Sequence, residues 1–134
     1  MRELTDRALN LAQVKGATYA DIRIVRRQEE DITVKNGIVQ SLALDKTSGF
    51  GVRVIADGAW GFAGSHLLEP AEVDRVTALA VTIAKASAIA KKNDVDMGPE
   101  EVHVDKYRTP VQIDPFAVPL DDKVSLLLAA DKEA

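Results

Sequence analysis

The sequence predicts an α+β fold, in which helices cover one face of an antiparallel sheet. Apolar residues recur at helical spacing near the N-terminus and again after Pro70, and between these segments they alternate with polar residues. Asn36-Gly37 and Asp57-Gly58 lie in the alternating region and are strong hairpin signals. We therefore expect the 134 residues to form a single domain, with a meander of about four or five strands packed by helices on one face.

The first helix is predicted from Glu3 to Lys15. Its apolar residues recur every three or four positions: Leu4, Ala8, Leu11 and Ala12. Gly16 follows, where a left-handed residue commonly ends a helix, and glycine adopts that conformation without a Cβ penalty. We expect the helix to stop there.

The sheet is predicted between Tyr19 and Ala63, where the apolar period changes to two. The predicted strand segments are Tyr19 to Val25, Ile32 to Val34, Ile38 to Leu44, Phe50 to Ile55 and Ala59 to Ala63. The polar run 26–31, the Asn36-Gly37 hairpin, a looser turn at 46–49 and the Asp57-Gly58 hairpin separate them.

A long second helix is predicted from Glu69 to Lys92, because Pro70 suits the first helical turn, where a missing N–H costs nothing. Its predicted inner stripe consists of Val73, Val76, Ala80, Ile83, Ser87 and Ala90, broadened by Leu79 and Ala84. This stripe is rich in alanine, so the helix can approach the sheet closely.

The remaining chain is predicted to be a polar linker (93–101), an irregular segment (102–113) and a final helix from Asp121 to the end. Leu126, Leu127 and Leu128 are consecutive, so they fan across about 200° of the helix surface. One small sheet does not cover such a fan. We therefore expect a partner or a further C-terminal part, and we interpret the chain as a piece of a longer protein.

Composition excludes several classes of function. Without cysteine the chain has no disulfide scaffold or thiolate zinc site, and two histidines leave little for imidazole chemistry. A net charge of −4 argues against nucleic-acid binding. No apolar run approaches the ~20 residues that cross a bilayer, and the polar N-terminus does not resemble a signal peptide. We expect a cytoplasmic protein with no nucleic-acid or membrane partner.

Two groups of side chains could hold a metal, but each has a simpler interpretation. His66 and His103 lie far apart in sequence, and the acidic residues three positions from them lie in predicted loops. The linker resembles a loose calcium loop without its alternating ligands and central glycine. The acidic residues concerned are Glu69, Asp94, Asp96, Glu100 and Glu101. We expect no catalytic, cofactor-binding or metal-binding residues in this chain.

Other candidates belong to the predicted sheet. The acidic run Glu29 to Asp31 is typical of a solvent-facing turn, and Trp60 of a core or hairpin aromatic, with ligand stacking as the alternative. Three arginines favour a charged outer face, although they could bind an acidic partner: Arg23, Arg26 and Arg27. The glycines at 49, 51, 58, 61 and 64 favour turns, bulges or close backbone approach over a phosphate loop.

Three segments stand in a fixed order along the chain: ALNLAQVKGATYADIRIVRRQEEDITVKNG, GFGVRVIADGAWGFAGS and a helix containing AKAS. Together they resemble the N-terminal domain of the TldD/PmbA family, bacterial and archaeal metalloproteases also called modulators of DNA gyrase. The later stretch YRTPVQIDPFAVPLDDKVSLLLAAD is more similar to the TldD branch than to the PmbA branch. The resemblance covers nearly the whole chain.

The resemblance implies a zinc site that this chain lacks. TldD-type proteins carry a His-Glu-x-x-x-His motif, completed by a Cys, in their downstream part. Here Leu67 follows His66 and Val104 follows His103, so no residue of that site can be carried over. A catalytic zinc needs about three protein ligands. We expect zinc only in a missing C-terminal part, and we expect this chain alone to be proteolytically inert.

The resemblance further implies a non-catalytic N-terminal scaffold and assembly domain of a TldD-like zinc metalloprotease that acts on peptides or partly unfolded proteins. Its expected partners are its own C-terminal domain or a second TldD/PmbA-type subunit, in an oligomer. The alternative is a stand-alone module that binds a peptide or protein along an exposed strand edge. A small-molecule site around Trp60 is a third hypothesis.

Overall fold

The computed structural model describes residues 1–98 and 101–133. Its elements are α1 (Arg2–Val14), β1 (Ala17–Lys35), β2 (Ile38–Ala56), β3 (Ala59–Ser65), α2 (Pro70–Ala88), a 3₁₀ turn (Pro115–Ala117) and α3 (Leu120–Glu133). The strands form one antiparallel sheet in the order β1-β2-β3. The predicted α+β class is confirmed.

The chain divides into two compact units. The first consists of Met1–Arg27 and Thr47–Pro99, and the second of Gln28–Lys46 and Glu100–Ala134. Both units therefore take residues from β1 and from β2. The first unit contains α1, β3 and α2, and the second contains α3.

The sheet has three strands rather than the four or five predicted. β1 continues through the polar run 26–31, and β2 continues through 46–49, where we predicted a turn. Gly49 does not take a positive φ, and Thr47 is β-branched and suits an extended strand. The prediction failed because apolar alternation marks a strand only where one face is buried, and these stretches are exposed to solvent.

Both predicted hairpin turns are confirmed. Asn36 and Gly37 have φ values of 52° and 72°, and Asp57 and Gly58 have values of 51° and 71°. A type I′ turn requires positive φ at both central residues, which Asn, Asp and Gly tolerate best. Gly16, with φ of 92°, ends the first helix as predicted.

The core of the first unit lies between the two helices and one face of the sheet. Helix α2 packs against β3, and α1 packs against α2. The sheet contributes Phe50, Val52, Val54, Ala56 and Ala63, and the helices contribute Ala8, Ala12, Val73, Val76, Ala80, Val81 and Ala84. Because one cluster contains residues of both helices, α1 and α2 lie on the same face of the sheet.

Polar contacts join α1 and its C-terminus to α2. The Arg7 guanidinium donates Nε to Asp74 Oδ1 at 2.7 Å and an Nη to Asp74 Oδ2 at 2.6 Å. This bidentate bond holds the pKa of the Asp74 carboxyl below its usual value. Lys85 Nζ donates to the Lys15 carbonyl at 2.9 Å. The two contacts fix the position of α1 along α2.

Helix α2 is shorter than predicted, because it ends at Ala88 instead of Lys92. The chain after it turns back to the β2–β3 hairpin, where Val95 N–H donates to the Gly58 carbonyl at 2.9 Å. Lys91 Nζ donates to the Asp57 carbonyl. Lys91, which we predicted to lie in the helix, therefore binds the hairpin turn instead.

The buried stripe of α2 also differs from the prediction. Thr77 and Val81 are buried, whereas Ile83, Ser87 and Ala90 are exposed. Thr77 Oγ1 donates to the Val73 carbonyl at 2.7 Å, so its hydroxyl is satisfied inside the core. The observed spacing still fits one helix face, rotated from the one we expected.

The rotation of α2 follows from its contact with Gly61 of β3. A Cβ built on Gly61 would lie 2.6 Å from the backbone nitrogen of Ala84 and closer still to the carbonyl oxygen of Ala80. Only glycine leaves room for the helix backbone at this distance. The predicted close approach of helix and sheet is confirmed, and it depends on this residue.

In the second unit, α3 lies beside the distal part of the β1–β2 hairpin. Lys123 Nζ pairs with Glu30 Oε1 at 2.7 Å, and Gly37 N–H donates to Asp131 Oδ2 at 2.5 Å. Among the residues of this unit that the structure describes, none is buried. Leu126 is 72% exposed and Leu127 36% exposed. The hairpin therefore covers only part of the leucine fan.

We expect Gly61→Ala to destabilise the chain by about 1–3 kcal/mol, since the added methyl forces α2 away from the sheet. The measurement is the urea midpoint of unfolding, followed by circular dichroism. Gly51→Ala is the matched control, because a Cβ there approaches closely only the ring of the exposed Phe62, which can turn aside, and lies at ordinary contact distance from the Ala63 carbonyl oxygen. Equal midpoints for the two variants would contradict the proposed role of Gly61.

Candidate functional site

The sheet face opposite the helices carries a polar and aromatic group, which we call the open-face cluster: Tyr19, Asp21, Arg53 and Trp60. Its position follows from strand alternation. Val52 and Val54 point into the core, so Arg53 between them points to the other face. In the β2–β3 register Arg53 is opposite Phe62, and Ile55 is opposite Trp60.

Asp21 is the centre of the cluster. Its Oδ2 accepts from the Tyr19 hydroxyl at 3.0 Å and from Arg53 Nε at 2.7 Å. Arg23 Nε lies 3.4 Å from the other carboxylate oxygen. One half-buried carboxylate thus accepts two hydrogen bonds and pairs with a second arginine, and the bond from Arg53 joins β1 to β2 on the open face.

The aromatic rings surround the arginine. The Arg53 guanidinium lies 5.0 Å from the centroid of the Trp60 ring, a cation–π contact. Tyr19 meets Trp60 edge to face, with centroids 5.9 Å apart and planes at 87°. The arginine is therefore held by a carboxylate and a ring, and these contacts fix its orientation.

The protonation of the cluster does not suit proton transfer. Burial, and then the Asp21 carboxylate, raise the pKa of Tyr19, while Arg53 opposes this change. The hydrogen bond to Asp21 raises the pKa of Arg53. At neutral pH the tyrosine is a neutral donor and the arginine a cation, so neither is a general base.

The two histidines are not brought to a common site within one unit. His66 is exposed after β3 in the first unit, and His103 is exposed in the irregular segment of the second. Glu69 precedes α2 and is also exposed, while Glu100 lies outside the described residues. Within residues 1–98 and 101–133, no group of three or more histidine and acidic residues is placed to hold a metal ion.

His66 has an electrostatic neighbour in Glu72. The pKa of Glu72 falls to about 2, chiefly through hydrogen bonds from Arg75 and then from Ser65, with His66 contributing least. Arg75 donates Nε to Glu72 Oε2 at 2.7 Å. The carboxylate is thus engaged in hydrogen bonds within the first turn of α2, where the helix dipole also stabilises negative charge.

The acidic residues of the linker make local contacts. Asp94 pairs with Lys91 at 2.6 Å, and Asp96 Oδ1 accepts from Gly98 N–H at 2.8 Å. Glu101 is exposed. These bonds give the carboxylates structural roles in the chain that follows α2.

Our interpretation of Glu29 to Asp31 as a turn is wrong, because these residues lie inside β1. Glu30 binds Lys123 of α3. The charged outer face predicted from the arginines agrees with the exposure of Arg23, Arg26 and Arg27. Arg23 is directed to Asp21, so the acidic residue it meets is its own neighbour on β1.

Sequence reasoning missed the open-face cluster, although it singled out Trp60. That residue is half-buried, on the β2–β3 hairpin and away from the helices. The signal that could have found the cluster is the alternation of side chains between the two faces of a strand. Ala20 and Ile22 of β1 pack against the core. Tyr19 and Asp21 alternate with them and therefore lie on the opposite face of the strand.

We expect Asp21→Asn to lower the pKa of Tyr19, because the carboxylate that disfavours the phenolate is lost while Arg53 remains. The titration of tyrosinate absorbance in a Tyr107→Phe background reports Tyr19 alone. Asp31→Asn removes the same charge from an exposed site and is the control. A pKa that is unchanged or raised, relative to this control, would contradict the geometry.

Comparison with known proteins adds the family. The model of the protein family described as PmbA/TldA metallopeptidase domain 1 matches residues 20–90, which are more than half of the chain. The chain belongs to the TldD/PmbA family. The matched range contains β2, β3, α2 and most of β1, including three of the four residues of the open-face cluster.

Two curated relatives of this TldD/PmbA-family domain are metalloproteases of archaea. The protein of Methanocaldococcus jannaschii is 26% identical over 124 residues, which cover 90% of this chain and 28% of that protein. The protein of Methanothermobacter thermautotrophicus is 30% identical over 116 residues, which cover 87% and 24%. The chain thus spans about a quarter of the length of the curated relatives it matches.

Two solved structures share the fold. TldE from Thermococcus kodakarensis matches with a TM-score of 0.67 and 16% identity, covering 96% of this chain and 30% of that one. A modulator of DNA gyrase from Bacteroides thetaiotaomicron matches with a TM-score of 0.70 and 18% identity, covering 99% and 30%. At these identities the likeness concerns the fold alone. Among the described residues, no helix combines the length and apolar character that crossing a membrane requires.

Proposed function

We propose that this chain is the non-catalytic N-terminal scaffold and assembly domain of a TldD-like zinc metallopeptidase of the cytoplasm, which acts on peptides or partly unfolded proteins. Membership of the family supports the class of enzyme. The chain spans about a quarter of the length of its metalloprotease relatives, and this supports its assignment as one domain of a longer polypeptide.

The observation that carries the assembly role is the apolar surface of the second unit. Val124 and Leu128 of α3 are half-buried, while Leu126 and Leu127 are exposed. Large exposed apolar residues grouped on one helix are typical of a protein–protein contact. The surface thus suits contact with the enzyme's own C-terminal domain or with a second TldD/PmbA-type subunit.

The donor set of this chain does not fit a catalytic zinc. Such a site needs about three protein ligands and an open position. His66 and His103 are in different units, and no third ligand accompanies either one in the described part of the chain. We therefore assign zinc and peptide cleavage to the downstream part of the enzyme, and no catalytic step to these residues.

The reading frame after residue 134 separates this proposal from the stand-alone binding module. A frame that continues into a His-Glu-x-x-x-His motif and a later Cys supports the peptidase. A stop codon at that point would support the module. Zinc-dependent peptide cleavage by the longer protein, absent from the 134-residue chain, is the direct functional test.

We expect equimolar zinc to leave the melting temperature of the 134-residue chain unchanged, because only a folded-state site stabilises a protein by mass action. Differential scanning calorimetry with and without zinc checks this. An increase that a chelator reverses, and that His66→Ala or His103→Ala abolishes, would reveal a metal site and contradict the assignment.

We expect the isolated chain to self-associate through α3, and Leu126→Lys to make it monomeric. Burying one leucine contributes roughly 1.5–3 kcal/mol, which corresponds to a change of about tenfold or more in the dissociation constant. Sedimentation equilibrium measures the association. Ile89→Lys is the control, since Ile89 is 89% exposed and lies in the first unit. A wild-type monomer from micromolar to millimolar concentration would contradict an assembly surface on α3.

A further inference from the structure

The two edge strands of the sheet differ in their protection. β1 carries eight charged side chains: Asp21, Arg23, Arg26, Arg27, Glu29, Glu30, Asp31 and Lys35. β3, with the sequence AWGFAGS, has no charge and no proline. Charged residues and prolines on an edge strand discourage pairing with a further strand. By this criterion the β1 edge is protected and the β3 edge is not.

The backbone of β3 is open on its outer side. In the part of the chain that the structure describes, β3 is the last strand of the sheet. No backbone hydrogen bond from outside the sheet reaches residues 59–65 there. Helix α2 contacts β3 from the core side of the sheet, through the cluster that contains Ala63, Ala80 and Ala84.

The open face beside this edge offers an apolar contact. Phe62 is 62% exposed, and its ring lies over Gly51, 2.7 Å from the place a Cβ would occupy there. Gly64, on the same face of β3, has no side chain. A residue directly opposite Phe62 on a new strand would place its Cβ about 5 Å away. An apolar side chain at that position would cover the exposed ring.

We propose that β3 pairs with a further strand, supplied by the polypeptide downstream of this chain, and that an apolar residue of that strand packs on Phe62. The inference rests on the proposed function for the existence of the downstream part. The curated relatives are more than three times as long as this chain, so a full-length protein of that size has ample sequence for such a strand. A strand in the same polypeptide has a high effective concentration, which a second copy lacks.

Hydrogen–deuterium exchange tests the pairing. We expect the outward-facing amides of residues 59–65 to exchange about tenfold more slowly in the longer protein than in the 134-residue chain, the effect of one added hydrogen bond. Amides of residues 50–56, which already pair with β3, are the internal control. Equal exchange of residues 59–65 in both proteins would overturn the proposal.

Variants of the longer protein test the contact on Phe62. Phe62→Lys should restore fast exchange in 59–65, while Val25→Lys, a change at a 60% exposed residue of β1, should not. Protection that depends on concentration in the 134-residue chain would assign the edge to a second copy, and protection that requires an added unstructured peptide would assign it to a substrate. Either result would overturn the proposal.

Peptidase activity separates this inference from the proposed function. A longer protein that cleaves peptides in a zinc-dependent manner, but leaves residues 59–65 in fast exchange, would refute only the strand pairing. A longer protein that is protected at β3 but lacks zinc-dependent cleavage would refute only the enzyme class.

Discussion

The contact between α2 and Gly61 is the constraint on which the first unit depends. The helix backbone at Ala80 and Ala84 occupies the space that any larger residue on β3 would need. This contact fixes the depth of the helix and its rotation, so Thr77 and Val81 turn into the core and Ile83 turns out. Close helix–sheet packing of this kind requires small residues on both the helix and the strand, here Gly61, Ala80 and Ala84. The stability of the contact therefore depends on complementary shape more than on the volume of single side chains.

Both helices lie on one face, so the other face of the sheet is stabilised by different means. Asp21 joins β1 to β2 through Arg53, and Arg53 reaches the β3 side through the Trp60 ring. Charge-assisted hydrogen bonds and ring contacts therefore join all three strands on this face. Phe62, two pairs along from Trp60 and directly opposite Arg53, is where exposed apolar surface begins on this face.

Local features of the fold could be predicted from the sequence, and features set by distant contacts could not. The Asn36-Gly37 and Asp57-Gly58 turns and the stop at Gly16 depend on the φ preferences of single residues, and all three are confirmed. The stripe of α2 depends on Gly61, some twenty residues earlier. The open-face cluster joins residues from 19 to 60, so only the strand register brings them together. Strand lengths were underestimated because most residues in 26–31 and 46–49 are exposed, so no apolar alternation marks them.

The second unit buries little apolar surface among its own described residues. Fixing a residue costs about 1–2 kcal/mol of backbone entropy, which burial of apolar surface normally offsets. No described residue of this unit is buried, and the bonds of α3 at Glu30 and Gly37 contribute only about 1 kcal/mol each. Its apolar burial is therefore limited to half-buried side chains such as Ile32, Val124 and Leu128. Further apolar surface is available for burial at Leu126 and Leu127, on the exposed side of the leucine fan, and this is why the assembly role that we propose is assigned to α3.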